Sequence, residues 1–210
     1  MLTPLVPYPI PKRILDKTAA SALLLLLAPL FVVALAGLAI DMLIVRRDRG
    51  SFFYREPRVS RGRIFGLLKF RTLRADVLAT ARGHARPLEH DPANLTWSGA
   101  RILKPWYLDE LPQLFNVLRG DLSLVGPRPW PPALVERQVA EGLDYRTKII
   151  AGLTGPAQVT KGDASSSYAV LDLGYVEACR TRRSWSLVRL DLRILGQTLR
   201  VIARGEGLSY

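Results

Sequence analysis

Residues 18–40 read TAASALLLLLAPLFVVALAGLAI, an apolar run without a charged residue that carries Pro29 near its middle. Basic residues flank the run on both sides: Lys12, Arg13 and Lys17 before it, and Arg46, Arg47 and Arg49 after it. A helix of about 20 apolar residues is long enough to cross the hydrocarbon layer of a membrane. The length and composition therefore predict a membrane segment.

The basic flanks bear on how this segment enters the membrane. Lys and Arg are biased to the cytoplasmic side, and a single crossing would carry one cluster to the opposite side. Pro29 favours a bend, because proline removes a helical hydrogen bond and disfavours helical geometry at the preceding Ala28. We interpret the run as a re-entrant helix-break-helix anchor with its break at Ala28 and Pro29. A straight span with a tolerated proline stays open on this segment alone.

No small-residue cleavage site follows the apolar run, so we expect the segment to stay attached rather than to be removed as a signal peptide.

The chain has 210 residues, of which 49% are hydrophobic. This length accommodates an anchor, residues 1–48, and one compact domain, residues 49–210. The formal net charge is +12, and residues 46–86 hold twelve Lys or Arg against Asp48, Glu56 and Asp76, a net charge of +9. Such a block suits an anionic lipid surface, and also nucleic acid or nucleotide phosphates.

The cysteine and histidine content limits the chemistry. Cys179 is the only cysteine, which excludes an internal disulfide and agrees with a reducing compartment. His84 and His90 lack the spacing of a zinc motif, so we expect oxygen ligands for any metal.

The hydrophobic pattern predicts a mixed α and β fold that is mainly helical. Residues 51–54 and 64–70 read as the strands of a small hairpin, joined by a longer loop from Glu56. Helical spacing from Tyr107 predicts a helix that ends at Gly120, with Asp109 and Glu110 in its first turn. A last helix, residues 185–203, has arginines between apolar positions, which suits either a lipid interface or the protein core.

Asp109 and Glu110 are the first candidates for chemistry. Carboxylates at a helix start are usually structural, because they offset the helix dipole. However, adjacent helical residues point about 100° apart, so one carboxylate could act as a nucleophile while the other holds a divalent cation.

Three basic residues are candidates for phosphate binding. Arg128 lies between Pro127 and Pro129, which stiffen its backbone, and its planar fork suits phosphate oxygens. Lys69 and Arg71 are two positions apart and would share one face of a strand. Taken singly, each is better explained as a solvated surface cation.

These motifs, in this order, resemble the monotopic phosphoglycosyl transferases, the bacterial sugar transferases that use polyprenyl phosphate as acceptor. The resemblance runs from about Lys12 to Gly205 and rests on these segments: residues 12–16 (KRILD), 69–72 (KFRT), 108–114 (LDELPQL), 120–129 (GDLSLVGPRP), 152–155 (GLTG) and 172–175 (DLGY). The two central segments are the most specific.

The resemblance implies a function and a site. It implies transfer of a sugar 1-phosphate from a UDP-sugar to undecaprenyl phosphate, with release of UMP, at the cytoplasmic face of the bacterial inner membrane. It implies that Asp109 is the nucleophile, that Glu110 helps hold Mg²⁺, and that Arg128, Lys69 and Arg71 belong to the nucleotide and phosphate site. The expected partners are these two substrates and membrane lipids, without nucleic acid; the sugar and homo-oligomerisation stay open.

Some positions depart from the pattern of the family. Ala28-Pro29 replaces a common Ser-Pro, Pro156 replaces a common Trp, and the segment 56–60 differs around Arg58. A rival function is a non-enzymatic, membrane-tethered binder of nucleic acid or anionic lipid, built on the basic block. It explains the charge but gives Asp109 and Glu110 no role.

Overall fold

The computed structural model describes residues 4–81, 85–160 and 168–204, without the side chain of Arg86. The fold is mixed α and β and mainly helical, as predicted, whereas the membrane insertion of its helices stays a prediction. The helices are α1 Ile10–Leu26, α2 Ala28–Ile44, α3 Ala75–Thr80, α4 Gln113–Arg119, α5 Pro132–Ala140, α6 Tyr145–Lys148, α7 Pro156–Val159, α8 Tyr168–Thr181 and α9 Ser184–Ala203. The strands are β1 Phe53–Ser60, β2 Arg63–Phe70, β3 Ser123–Val125 and β4 Gly152–Thr154.

The chain forms two compact units, each discontinuous in sequence. Unit 1 contains Met1–Ala20, Arg58–Phe65 and Val117–Tyr210, and unit 2 contains Ser21–Pro57 and Gly66–Asn116. The predicted boundary between an anchor and a second domain at residue 48 stays a prediction.

The predicted anchor is a pair of helices with a bend of 59° between α1 and α2. The break lies at Leu27, one residue before the predicted position, and Ala28 is the first residue of α2. The expectation that Ala28 leaves helical geometry is therefore wrong. Pro29 lies in the first turn of α2, where its missing N–H leaves no helical hydrogen bond unmade. Among the described residues no single helix is long and apolar enough to span a bilayer, and only this bent pair passes by combined length and composition.

The hairpin is longer and its turn is tighter than predicted. Residues 56–60 belong to β1 rather than to a loop. The two residues between the strands are Arg61 and Gly62, and their φ angles are 51° and 75°. Two consecutive positive φ angles match the twist of the flanking strands, which is why two-residue hairpin turns favour them.

Unit 1 contains a pair of parallel strands. Ser123 of β3 aligns with Gly152 of β4, and Val125 aligns with Thr154. A Cβ atom on Gly152 would lie 2.1 Å from the backbone nitrogen of Gly126, so the two segments approach too closely for any side chain there. Helix α9 packs on both strands.

A buried polar network joins α1 to the rest of unit 1. The ammonium group of Lys12 donates to Asp191 of α9 at 2.6 Å and to the carbonyl of Val125 at 3.0 Å. Asp16 accepts from the hydroxyl of Ser123 at 2.7 Å. Tyr175 donates to Asp191 at 2.7 Å. Each of these charged groups has a close partner of opposite charge or a hydrogen-bond donor, as buried charges require.

Unit 2 is built on α2 and the base of the hairpin. Its core contains Ala34, Leu38, Phe70 and Leu103. Phe31 packs edge-on against Phe70, with their ring centroids 5.4 Å apart. Aromatic pairs at this distance are favourable beyond the area they bury. One face of the predicted anchor helix therefore belongs to the protein core.

The last helix confirms its predicted position, since α9 covers Ser184–Ala203. One face is buried through Leu187, Ile194 and Val201. A second row of apolar side chains is exposed: Trp185, Leu192, Leu199 and Ile202. The helix thus has a face for the core and a separate apolar row on its outer side.

Candidate active site

Asp109 and Glu110 lie in a short 3₁₀ turn, Leu108–Glu110, and not in the first turn of α4. Helix α4 starts only at Gln113, directly after Pro112, and ends before Gly120, whose φ is 84°. Proline lacks a backbone N–H, so Pro112 cannot donate a helical hydrogen bond to the carbonyl of Leu108, and the helix begins after Pro112 rather than at Tyr107. The two carboxylates are therefore carried by a separate turn.

Helix α2 and the preceding π-helical turn position this turn within unit 2. Tyr107 has a left-handed backbone, with φ 54° and ψ 23°, a conformation that costs energy for a residue other than glycine. Upstream, a π-helical turn covers Gly99–Leu103, and the carboxylate of Asp41 in α2 accepts from the backbone N–H of Ser98 at 2.9 Å. Helix α2 contacts both turns. The second helix of the predicted anchor therefore helps position the carboxylates.

Asp109 is buried, whereas Glu110 is partly accessible. The residue Asp109 is 6% exposed, and the side chain of Glu110 is 34% exposed. Burial and the neighbouring charge of Glu110 raise the pKa of Asp109 to about 7, against the opposing effect of Lys69 and Lys104. Such a shift in a carboxylate next to a second carboxylate is common at functional sites.

Lys69 lies between two carboxylates of this site. Its ammonium nitrogen is 3.6 Å from an oxygen of Glu56 and 4.0 Å from an oxygen of Glu110. The structure thus brings Lys69, Asp109 and Glu110 together, whereas their roles stay predictions.

Three charged residues near Asp109 were missed from sequence. Glu56 pairs with Lys69, and Lys104 pairs with Glu89 at 2.5 Å. Both Lys104 and Glu89 affect the pKa of Asp109. If the two-residue turn had been predicted, Glu56 would have been placed opposite the strand that carries Lys69. Lys104 lies five positions before Asp109. Nothing in the sequence near Glu89 singled it out.

Arg71 has a different environment from the predicted one. It is 2% exposed, and each of its three guanidinium nitrogens donates to a backbone carbonyl. The acceptors are Ser51 and Leu73, both at 2.7 Å, and Asp48. These donors hold the chain around the end of β2, and a contribution of Arg71 to a phosphate site stays a prediction. Burial lowers the pKa of its guanidinium.

Arg128 lies in unit 1, whereas the other predicted site residues lie in unit 2. It is half-buried, between the buried Pro127 and Pro129. Its carbonyl accepts a hydrogen bond from Arg146 at 2.5 Å. The stiff backbone predicted from the two prolines is thus held further by a side chain from α6.

The described residues contain no group of three or more His, Cys, Asp or Glu side chains that could hold a metal ion. This finding does not conflict with magnesium, because Mg²⁺ commonly uses one or two carboxylates, several waters and the phosphates of the substrate. Glu110 and Asp109 are carboxylates of this kind, and Glu110 is the more accessible of the two. The residues present therefore fit an ion that a bound diphosphate would help to hold.

The chain is similar in sequence to known bacterial proteins. A profile of the family described as "Bacterial sugar transferase" matches residues 8–205. An undecaprenyl-phosphate glucose phosphotransferase of Komagataeibacter xylinus is 36% identical over 90% of this chain and 35% of its own length. The uncharacterized sugar transferase EpsL of Bacillus subtilis is 36% identical over 94% of this chain and 90% of its own length.

A third relative is the UDP-glucose:undecaprenyl-phosphate glucose-1-phosphate transferase of Caulobacter vibrioides, 37% identical over 93% of this chain and 71% of its own length. The chain thus spans about a third of the Komagataeibacter relative and most of the Bacillus one. Because the profile covers nearly the whole sequence and the segments that carry the resemblance all lie inside it, the chain belongs to the bacterial sugar transferase family.

Proposed function

We propose that this chain transfers a sugar 1-phosphate from a UDP-sugar to undecaprenyl phosphate and releases UMP. The family and the names of the relatives support this activity, since two of these relatives are named as glucose transferases that use undecaprenyl phosphate. Another is named an undecaprenyl-phosphate galactose phosphotransferase. A hexose is therefore the first class of sugar to test.

The observation that carries the proposal is the setting of Asp109. Its carboxylate is buried in a separate turn beside Glu110, and the charges of Lys69 and Lys104 lower its pKa against the effect of burial. A desolvated carboxylate is more reactive than a solvated one, and nearby ammonium groups offset the repulsion between it and an anionic substrate.

The proposed chemistry has two displacements at one phosphorus. An oxygen of Asp109 attacks the phosphorus that bears the sugar, the bond between the two phosphates breaks, and UMP leaves. An oxygen of undecaprenyl phosphate then attacks the same phosphorus, and the bond to Asp109 breaks. Asp109 regains its charge, and the product is an undecaprenyl diphosphate sugar. Such covalent catalysis divides one difficult step into two easier ones.

Lys69 and Glu110 have separate roles in this scheme. Lys69 lies within 4.0 Å of Glu110 and lowers the pKa of Asp109, so it favours the charged nucleophile. Glu110 would hold Mg²⁺, which neutralises charge on the diphosphate of the donor. Arg128 would bind a phosphate of the donor through its planar fork.

The location proposed for the enzyme is the cytoplasmic face of the inner membrane. Helices α1 and α2 expose many large apolar side chains, among them Leu25, Leu26, Val32, Leu43 and Ile44. Contiguous exposed apolar surface of this kind is typical of a membrane contact. The outer row of α9 is accompanied by the exposed Arg189, Arg193 and Arg200, a combination that suits anionic headgroups.

The activity is tested with detergent-solubilised protein, undecaprenyl phosphate, and UDP-glucose or UDP-galactose. We expect UMP release that EDTA abolishes and that added Mg²⁺ restores. Without acceptor, intact-protein mass spectrometry of the wild type should detect a mass increase of one hexose phosphate, and the Asp109→Asn variant should lack it. UMP release by Asp109→Asn at the wild-type rate would exclude the covalent route.

The topology is tested with single cysteines in a Cys179→Ser background. Lys12 is a poor reporter position because it is buried, whereas Lys17 and Arg47 are exposed. For a re-entrant anchor, cysteines at 17 and 47 are both protected from an impermeant thiol reagent in intact cells and both react after the inner membrane is opened. Labelling of position 17 in intact cells supports a straight span and refutes the hairpin.

The rival function, a tethered non-enzymatic binder, has less support. Membership in a family of sugar transferases explains the Asp109-Glu110 pair, which the rival leaves without a role. Retention of nucleic acid without any release of UMP would favour the rival.

A further inference from the structure

The segment that carries Arg128 is fixed through three of its carbonyl groups. The carbonyl of Pro127 accepts a hydrogen bond from the backbone N–H of Gly152 at 2.9 Å. The carbonyl of Trp130 accepts one from the backbone N–H of Val59 at 3.0 Å. The carbonyl of Arg128 itself accepts from the Nη1 atom of Arg146 at 2.5 Å. Two of these contacts are made by backbone N–H groups and use no side chain. The contact at Arg128 depends on one side chain.

Arg146 is held as firmly as the segment that it contacts. Its Nη2 atom donates to Asp172 of α8 at 2.6 Å, and the hydroxyl of Tyr145 donates to the same carboxylate oxygen at 3.0 Å. The centre of its guanidinium lies 4.1 Å from the centroid of the Trp130 ring. Stacking and the paired carboxylate together fix the plane of the guanidinium.

These contacts are fully inside unit 1. The side chain of Arg146 is 6% exposed and that of Asp172 is 1% exposed. A buried ion pair is often no more stabilising than apolar side chains of similar volume, because both charges lose their hydration. An arginine adds geometric specificity here, because its one planar group contacts the carbonyl of Arg128, a carboxylate on α8 and the ring of Trp130.

We propose that Arg146, oriented by Asp172 and Trp130, is a positioning residue that sets the orientation of Arg128 for the donor phosphate. The proposal rests on the phosphate-binding role of Arg128 in the proposed function. Arg146 acts through the backbone of Arg128, and it is not itself assigned a contact with substrate. Arg146 and Asp172 thereby gain a role in the binding of the donor phosphate through Arg128.

The test is a double-mutant cycle of Arg128→Lys and Arg146→Lys. Lysine keeps the charge but lacks the fork, so it cannot hold the carbonyl and the carboxylate in one plane. We expect Arg146→Lys to lower kcat/KM about tenfold, mainly through a higher KM for the UDP-sugar. In the Arg128→Lys background the same change should lower it less than about twofold, because residues that act as a unit are not additive.

Asp172→Asn provides a second route to the same result. The amide keeps the shape but loses the charge that orients Arg146, and we expect the same non-additivity with Arg128→Lys. Arg119→Lys is the matched control, because Arg119 also pairs with an aspartate, Asp121, at 2.8 Å but is half-exposed. We expect its kinetics to be those of the wild type. Melting temperatures of all variants distinguish a loss of folded structure from a change in the orientation of Arg128.

A second readout does not require turnover. The dissociation constant of UDP, measured by calorimetry in detergent, is expected to follow the same cycle. Equal losses of UDP affinity from Arg146→Lys in both backgrounds would overturn the positioning role. If the protein binds UDP but releases no UMP from the UDP-sugars, the transferase activity is refuted. The double-mutant cycle, measured as UDP affinity, still decides the role of Arg146. Unchanged UDP affinity in both single variants would overturn both the role of Arg128 and that of Arg146.

Discussion

Two groups of charged residues, one in each unit, differ in how tightly their members are paired. In unit 1, Lys12 and Asp191 are 2.6 Å apart and at most 2% exposed. In unit 2, Lys69 lies 3.6 Å from Glu56 and 4.0 Å from Glu110, and a third of the Glu110 side chain is exposed. Both groups contain an aspartate whose pKa is raised by burial, Asp191 and Asp109. Burial alone therefore does not identify a catalytic carboxylate.

The partners of the two aspartates mark the difference. Asp191 accepts strong hydrogen bonds from Lys12 and Tyr175, so its charge is compensated inside the fold. Asp109 is influenced by lysines and carboxylates at longer range, in a site whose outer carboxylate is accessible. Short, buried pairs stabilise the fold, whereas looser pairs can exchange their partner for a substrate phosphate or a metal ion.

The largest expected effect separates Asp109 from Asp191 by activity. Asp109→Asn is expected to lower UMP release by about 10³-fold or more, because an amide lacks the anionic nucleophile. Asp191→Asn is expected to retain activity per folded molecule and to lose stability. The measurement is UMP release per folded protein, with the folded fraction taken from thermal denaturation. Comparable activity losses in the two folded variants would contradict the distinction.

A second test concerns the buried pair of unit 1. Lys12→Met leaves the charge of Asp191 without its cation, and we expect the free energy of unfolding to fall by about 3–5 kcal/mol. Combining Lys12→Met with Asp191→Leu removes both charges and should recover part of that loss. Denaturation of both variants in the same detergent checks this. A single variant as stable as the wild type would show that the pair contributes little.

A third, smaller effect concerns pH. Burial and Glu110 raise the pKa of Asp109 to about 7, so Asp109 is partly protonated at neutral pH. Turnover is expected to fall as the pH decreases through this range, by up to about tenfold per pH unit where the slope is steepest. Lys69→Gln removes a charge that lowers this pKa, and the midpoint of the profile should move upward. A profile unchanged in Lys69→Gln would contradict this role of Lys69.

The same shift has a consequence for stability. Because the pKa of Asp109 is higher in the folded than in the unfolded chain, the folded protein retains a proton that the unfolded chain releases between about pH 4 and 7. The free energy of unfolding therefore falls as the pH rises through this window. Asp109→Asn lacks this dependence, so its melting temperature should exceed that of the wild type above pH 7 and approach it near pH 4.

Much of the site was predictable from short segments of sequence. The Asp109-Glu110 pair and Lys69 lie together, and the carbonyl of Arg128, between its two prolines, is held by Arg146, whereas the roles of these residues stay predictions. The error in the start of α4 had a local cause: the apolar spacing continues through the 3₁₀ turn, and the stop imposed by Pro112 was underweighted. The hairpin loop was predicted to be longer than it is, because the turn at Arg61-Gly62 has only two residues.

The roles of several cations were not predictable. Lys12 was interpreted as part of a basic flank at the membrane, but it is buried against Asp191, 179 positions away. Arg71 was placed with Lys69, but its guanidinium holds three backbone carbonyls. Only Arg13 and Lys17 remain exposed on the first flank, so the topological argument from charge rests on fewer residues than the sequence indicated.

The sequence by itself determined the family, the mainly helical class, the last helix, and the residue types of the candidate site, because each depends on neighbouring positions along the chain. The tertiary structure decided which charged side chains are structural and which face the site. Burial and pairing depend on distances between residues far apart in sequence, and an arginine or lysine has the same local signal in either role. Arg146 illustrates this, since its contacts with Arg128 and Asp172 exist only after α6, α8 and the Pro-Arg-Pro segment have packed together.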